Sequence, residues 1–230
     1  MQVDILAFGP HPDDIEIGAG ATIAKAVRQG QAVGLCDLTR GELGSNGTVE
    51  ERLAEAGAAA ETLGATWREN LGWPDGAIGG DDQLRDAVEL LRRSRPATVL
   101  IPYWDDRHPD HVAASRLLAS AVFKARLRRF GAPGEAWSPD WVCHYYINNA
   151  GTPSFVVDVS ADYDSKRRAL DCHRSQFVPQ DADAVATRLT ASSFRRLIES
   201  RDAGFGAAIG VEWAEGFVVR EPLQRAGVMK

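Results

Sequence analysis

The chain has 230 residues, with 26 basic and 32 acidic side chains and a formal charge of −6 at neutral pH. Apolar residues make up 44% of it and charged ones 25%, which excludes wholesale disorder and fits a single α/β domain spanning residues 1–230. The acidic balance disfavours nucleic acid as a partner, and no apolar run reaches the roughly 18 residues that a membrane span needs.

Val3 to Phe8 is a short apolar run ending at Gly9-Pro10, so it reads as a buried strand and not as a signal peptide. A helical pattern follows from Ile15 to Gln29, ending at Gly30, and Ala32 to Leu38 reads as a second buried strand. Strand, helix and strand with short links predict a right-handed βαβ unit with parallel pairing. Thr39 to Thr48 is a Gly-rich polar loop. Thr48 and Glu51 form a capping box that opens a helix over Val49 to Leu63. A short strand is expected at Trp67 to Leu71, a helix at Asp82 to Arg93 and a buried strand at Thr98 to Pro102. The next helix is expected from Pro109 to about Arg128, with Lys124, Arg126, Arg128 and Arg129 in its last turns as counter-charges to the helix dipole. Ala132 to Pro139 is a loop. Trp141 to Ile147 and Ser154 to Val159 read as strands, Tyr163 to His173 and Ser192 to Ala203 as helices, and Gly216 to Val219 as a last strand. The order predicts a Rossmann-like, doubly wound α/β fold with a mostly parallel sheet and a C-terminal strand and helix elaboration.

Cys36, Cys143 and Cys172 are odd in number and lack CxxC spacing, which argues against a disulfide framework or a thiolate zinc site. Cys36 lies in the apolar run Val33 to Leu38 and reads as a small core residue. A reducing, cytoplasmic compartment is the simplest expectation.

The chemistry concentrates in two His-Pro-Asp segments, His11-Pro12-Asp13-Asp14 and His108-Pro109-Asp110-His111, which hold three of the five histidines. Each follows an expected buried strand and precedes a helix, with proline at the first helical position. In an open parallel sheet that edge faces the ligand crevice, so both segments meet if their strands are neighbours. Two imidazoles and one carboxylate suffice for a catalytic Zn²⁺ with an open position, and His11, Asp14 and His111 are assigned as its ligands. Asp13 then stands beside the metal as a general base for the attacking water. His108, held next to Asp110 and kept cationic, donates to an oxyanion or a leaving amine. His144 and His173 are isolated in their elements and read as structural.

These motifs resemble the LmbE-like deacetylase family, which includes the N-acetylglucosaminylphosphatidylinositol de-N-acetylases. The family's first motif usually continues with Glu; here Ile15 intervenes before Glu16. Thr39 to Thr48, Leu71 to Gly76, Asp105-Asp106-Arg107, Ser175-Gln176-Phe177 and Glu212 to Phe217 are similar to the bacillithiol-biosynthesis branch. The resemblance implies a zinc hydrolase that removes acetyl from an N-acetylglucosaminyl compound, with N-acetylglucosaminyl malate as the leading substrate. It matches His11, Asp14 and His111 to the zinc ligands, Asp13 to the base and His108 to the residue that stabilises the tetrahedral intermediate. It also implies a homo-oligomer, with a hexamer favoured.

An acidic aglycone needs a cation, and Arg52 and Arg107 are the candidates beside the active edge. Ser45 and Asn46 are candidates for contact with sugar hydroxyls. Deacetylation of other N-acetylglucosamine derivatives, such as chitobiose, is the alternative. Gly18-Ala19-Gly20 raises a non-catalytic sugar-nucleotide module, but those glycines fall inside the helix and not in the turn before it. The two-His, one-carboxylate set also accepts Fe²⁺, as in an Fe(II) oxygenase.

Overall fold

The structure is a computed structural model that describes residues 1–178 and 183–223. Five strands run parallel: β1 (Ile5–Gly9), β2 (Val33–Thr39), β3 (Trp67–Trp73), β4 (Thr98–Pro102) and β5 (Trp141–Tyr145). β6 (Phe155–Asp158) and β7 (Ala214–Val218) extend the same sheet, with β7 antiparallel to both β5 and β6. The strand order is β3-β2-β1-β4-β5-β7-β6, an α/β arrangement with the expected C-terminal elaboration.

Helices α1 (Asp14–Arg28), α2 (Val49–Leu63), α5 (Tyr163–Cys172) and α7 (Ser192–Ile209) share the core on one face of the sheet. Helices α3 (Asp81–Ser94) and α4 (Pro109–Ala125) cover the other face. The strands alternate between the two cores. Leu6 and Phe8 of β1 join the α3/α4 side and Ala7 the α1 side; in β2, Leu35 and Cys36 divide in the same way. Burial on both faces is why these strands read as unbroken apolar runs. Cys36 is a fully buried core residue, as expected.

The Thr48–Glu51 capping box forms as the sequence indicates. Three local expectations change. α4 stops at Ala125, so only Lys124 of the basic cluster lies in its last turn. α7 runs on past Ala203 to Ile209, and a four-residue helix, α6 (Arg174–Phe177), follows α5. The long α7 is obscured in sequence by Gly204 and Gly206. Gly206 is there for space, since a Cβ would lie 2.7 Å from the Glu212 carbonyl oxygen.

Gly18 is a packing residue as well. A Cβ there would lie 2.1 Å from the Tyr145 ring, so only glycine lets α1 approach β5 this closely. The glycines of α1 therefore face the protein interior and cradle no phosphate, which removes the sugar-nucleotide module. No helix among the described residues is long and apolar enough to cross a membrane.

β1 pairs with β2 on one side and with β4 on the other, so the chain order reverses between β1 and β4. That is the topological switch point, where the carboxyl ends of neighbouring strands open a crevice. The two His-Pro-Asp segments leave β1 and β4 at this point.

Candidate active site

The two segments are built differently. In the first, His11 and Pro12 lie before the N-cap of α1, which is Asp13. The expectation of proline at the first helical position therefore fails for Pro12 and holds for Pro109, which follows the N-cap His108 of α4. Asp13 has φ +155° and ψ −24°, a region that a residue with a side chain rarely adopts. Its neighbour Asp14 ties the turn together by accepting the His11 backbone N–H at 2.9 Å.

The predicted ligands converge on one atom. His11 Nδ1 lies 3.0 Å from Asp14 Oδ2, and His111 Nε2 lies 3.3 Å from that oxygen. One donor atom from each of the three residues falls within 4.8 Å of the others. A tetrahedral zinc ion about 2.0–2.2 Å from its ligands sets donors about 3.3–3.6 Å apart, so the set fits a metal. All three side chains are buried. Burial alone would lower the His111 imidazole, but the Asp14 and Asp106 carboxylates outweigh it and raise it to about 9.

Each imidazole presents its other nitrogen to a carboxylate. His11 Nε2 lies 3.1 Å from Asp75 Oδ1 and 3.5 Å from Asp110 Oδ2. His111 Nδ1 lies 3.1 Å from Asp106 Oδ1. Such partners orient the ring and raise its basicity as a ligand. Asp75 and Asp106 are not site residues on sequence grounds. They come from separate loops, and their signal lies only in Leu71 to Gly76 and Asp105-Asp106-Arg107.

Asp13 is buried beside Asp14, and its Oδ2 makes no hydrogen bond among the described residues. Burial pushes its carboxyl up to about 6, against the opposing pull of Arg52. The Arg52 guanidinium lies 3.6 Å from Asp13 Oδ2 and donates to the Gly41 carbonyl at 2.6 Å. Gly41, at φ +67°, leaves the room this requires.

The expected His108–Asp110 ion pair does not form. The Asp110 carboxylate accepts the Gly76 N–H at 2.9 Å and faces His11. Its backbone N–H donates to His108 Nδ1 at 3.2 Å, which leaves the His108 proton on Nε2. Burial and the neighbouring His111 and His11 rings lower the pKa of His108, which works against the expected cationic form.

A cleft of about 500 Å³ opens over these groups, and Ser45, Arg52 and Arg107 line it. Asn46 does not line it. Its amide is spent on Val185, donating to the carbonyl at 2.9 Å and accepting the N–H at 2.8 Å, so its task is to pin the loop. Gln176, Asn148 and Arg188 also line the cleft; the only sequence signal among them is for Gln176, in Ser175-Gln176-Phe177. Arg107 and Arg188 have no ion-pair partner among the described residues.

Glu16 turns away from the cleft. Arg68 bridges it to Asp37, and His173 Nε2 lies 3.5 Å from it. Burial would raise the Glu16 carboxyl, but Arg68 and His173 hold it at about 2. His144 and His173 are both buried and do not line the cleft, as expected of structural histidines. A larger groove of about 620 Å³, past Phe123 and Trp141, contains none of the clustered aspartates or predicted ligands.

Comparison with known proteins places this geometry. A family model described as PIG-L: GlcNAc-PI de-N-acetylase matches residues 6–122. The diacetylchitobiose deacetylase of Thermococcus kodakarensis is 35% identical over 77% of this chain and 71% of its own length. The probable N-acetyl-alpha-D-glucosaminyl L-malate deacetylase 2 of Bacillus cereus is 28% identical over 76% of this chain and 84% of its own. Among solved structures, the conserved protein TT1542 from Thermus thermophilus matches with a TM-score of 0.90 and 38% identity, covering 100% of both chains. The expected leaning toward the bacillithiol branch is not supported, since the chitobiose relative is more similar than the malate one.

Proposed function

Since the chain belongs to the PIG-L family of GlcNAc-PI de-N-acetylases, we propose that it is a zinc-dependent N-deacetylase of an N-acetylglucosaminyl glycoside, with diacetylchitobiose as the leading substrate. The observation that carries this reading is the convergence of His11 Nδ1 and His111 Nε2 on Asp14 Oδ2 beside the buried Asp13.

A divalent metal held by His11, Asp14 and His111 supplies a Lewis acid and lowers the pKa of water toward about 7. Asp13 serves as general base. It takes one proton from water as the oxygen bonds to the acetyl carbon. A base with a pKa near the working pH is suited to that transfer. His108 offers Nε2–H to the oxygen that gains charge, its ring held by the Asp110 N–H at Nδ1. Asp13 then returns the proton to the glucosamine nitrogen as the C–N bond breaks, and acetic acid and a free amine leave, the acid then losing its proton to solvent as acetate. Arg52 neutralises Asp13 and fixes its direction from 3.6 Å.

One observation favours a second reading. Arg107 and Arg188 line the cleft without partners among the described residues, and such guanidiniums suit a carboxylate-bearing aglycone such as malate. Amine release from diacetylchitobiose, N-acetylglucosaminyl malate and free N-acetylglucosamine separates the two. The leading reading expects the highest kcat/KM on diacetylchitobiose. A tenfold preference for the malate conjugate replaces it with the second, and no turnover of any of the three removes both.

A further inference from the structure

Asn46 stands where the Gly-rich loop, α6 and the segment before α7 meet. Its side-chain amide is buried and spent on one backbone unit, donating to the Val185 carbonyl at 2.9 Å and accepting the Val185 N–H at 2.8 Å. Its own carbonyl accepts Gln176 Nε2 at 2.7 Å. Ser175, next to Gln176, is tied to Glu55 of α2 by its N–H at 2.7 Å and its hydroxyl at 2.6 Å. The Val185 side chain is 52% exposed, so the Asn46 amide, and not apolar burial, holds the segment at this point.

What Asn46 holds is a wall of the cleft, formed by Thr187, Arg188 and Leu189. Thr187 and Thr190 close a turn there. The Thr187 N–H donates to the Thr190 hydroxyl at 2.9 Å, and that hydroxyl donates to the Thr187 carbonyl at 3.0 Å. Leu189 packs against the core on the α1 side of the sheet. Arg188 lies in this turn, exposed, with its guanidinium 5.4 Å from the centre of the buried Phe194 ring. A ring beneath the guanidinium orients it through its face and leaves its N–H donors free for acceptors. Asp13, Asp14, Asp75 and Asp110 line the same cleft, yet Arg188 pairs with none of them among the described residues. It therefore serves a part of the cleft away from the bond that is cut.

We propose that Asn46 is a positioning residue for substrate selection: through Val185 it holds Arg188 where the guanidinium donates to oxygen acceptors of the group attached to the N-acetylglucosaminyl unit. This rests on the deacetylase reading for the reaction itself. The acceptors are the hydroxyl and ring oxygens of a second sugar, or the carboxylate of an acidic aglycone. A guanidinium suits both, and free N-acetylglucosamine offers neither. Asn46 touches no substrate. Its effect on selection passes through Arg188, so the two residues act as one unit.

The test measures deacetylation of diacetylchitobiose, N-acetylglucosaminyl malate and free N-acetylglucosamine by the full-length, zinc-loaded chain. The readout is the ratio of kcat/KM on the preferred conjugate to that on free N-acetylglucosamine. Which conjugate the wild type prefers identifies the acceptor as sugar oxygen or carboxylate. Arg188→Met should lower the ratio about tenfold, through KM more than kcat, as expected for the loss of a hydrogen bond from a charged donor. Asn46→Ala should lower it by a similar factor, and the double variant should fall no further than either alone. Circular dichroism shows whether each variant folds. Should Asn46→Ala not fold, Asn46→Asp takes its place, since it keeps the acceptor for the Val185 N–H and loses the donor. An unchanged ratio in either single variant overturns the proposal. So do equal losses on all three substrates, which make Asn46 merely structural, and additive losses in the double variant, which detach it from Arg188. In each of these cases the deacetylase reading stands. A zinc-loaded wild type that turns over none of the three substrates overturns both.

Discussion

Asp106 Oδ1 lies 3.1 Å from His111 Nδ1, on the opposite side of the ring from Asp14. The same carboxylate accepts the His108 N–H at 2.8 Å and the Asn148 N–H at 2.9 Å. Burial opposes its charge, yet His111 and these donors hold it well below the usual carboxylate range. Asp106 therefore faces a metal ligand from outside the metal site, as a close ion-pair contact and not an aligned hydrogen bond. Asp106→Ala should weaken zinc binding by about 10–100-fold, the usual effect of removing such a partner. Competition with a chromophoric chelator measures it. Unchanged affinity would show that His111 is oriented by its helix alone.

Asp13 combines a buried carboxylate with an unfavourable backbone angle, φ +155°. Strain of this kind costs about 1–3 kcal/mol and persists where function demands the position. Asp13→Asn should keep its metal and lose kcat by about 10²–10⁴, the range expected for removal of a general base. Asp13→Gly should be equally inactive yet unfold at no lower a temperature than the wild type, because glycine tolerates the angle. Near-normal turnover in Asp13→Asn would remove the base assignment, and a clear loss of stability in Asp13→Gly would remove the strain argument.

The ligands are legible in the sequence because their chemistry is packed into two short segments at strand ends. His11, Asp14 and His111 can be placed together once β1 and β4 are taken as neighbours, and they are neighbours. Asp75 and Asp106 are harder because each is a single aspartate on its own loop. Only the fold brings them to the far sides of the two imidazoles. Asn46 fails for the opposite reason. A polar residue in a Gly-rich loop looks like a sugar contact, but its partner, Val185, is distant in sequence. The His108–Asp110 pair fails on direction. A two-residue spacing at a helix start delivers the Asp110 backbone N–H to His108, while the carboxylate points toward Gly76.

His144 gives the fold a defined response to acid. It is buried on β5, with Nδ1 3.0 Å from the Pro102 carbonyl and 3.4 Å from the Ser115 hydroxyl. Burial drives its pKa down to about 4; the Pro102 carbonyl raises it, Arg220 lowers it further and Glu221 raises it. Above pH of about 6.5 the ring is neutral in both states and has no effect. As pH falls below that value the unfolded chain takes up a proton that the folded chain refuses. Stability is therefore lost between about 6.5 and 4, by on the order of 3 kcal/mol at most. Urea unfolding across this range should show a shallower decline for His144→Gln than for the wild type. Parallel curves would assign the acid sensitivity to other groups.

The C-terminal elaboration reaches the site through buried charge. Lys166 Nζ donates at 2.7 Å to both Asp202 Oδ2 and Glu215 Oε1. Glu215 in turn accepts the Ala21 N–H at 3.1 Å and the Thr22 N–H at 2.7 Å. Arg201 pairs with Asp202 at 2.9 Å and donates to the Ile17 carbonyl at 2.7 Å and the Tyr146 carbonyl at 2.9 Å. Two cations and two carboxylates thus grip α1 from α5, α7 and β7, while α1 begins at Asp14. Replacing one member leaves an uncompensated charge, which costs about 3–5 kcal/mol in a buried network. Lys166→Met should lower the unfolding free energy by about that amount, because Asp202 and Glu215 lose their shared cation. Lys166→Met/Glu215→Gln should recover part of the loss, since one of the stranded carboxylates is then neutral. If denaturant unfolding finds the double variant no more stable than Lys166→Met alone, the lysine acts by packing over Gly20 and not by charge.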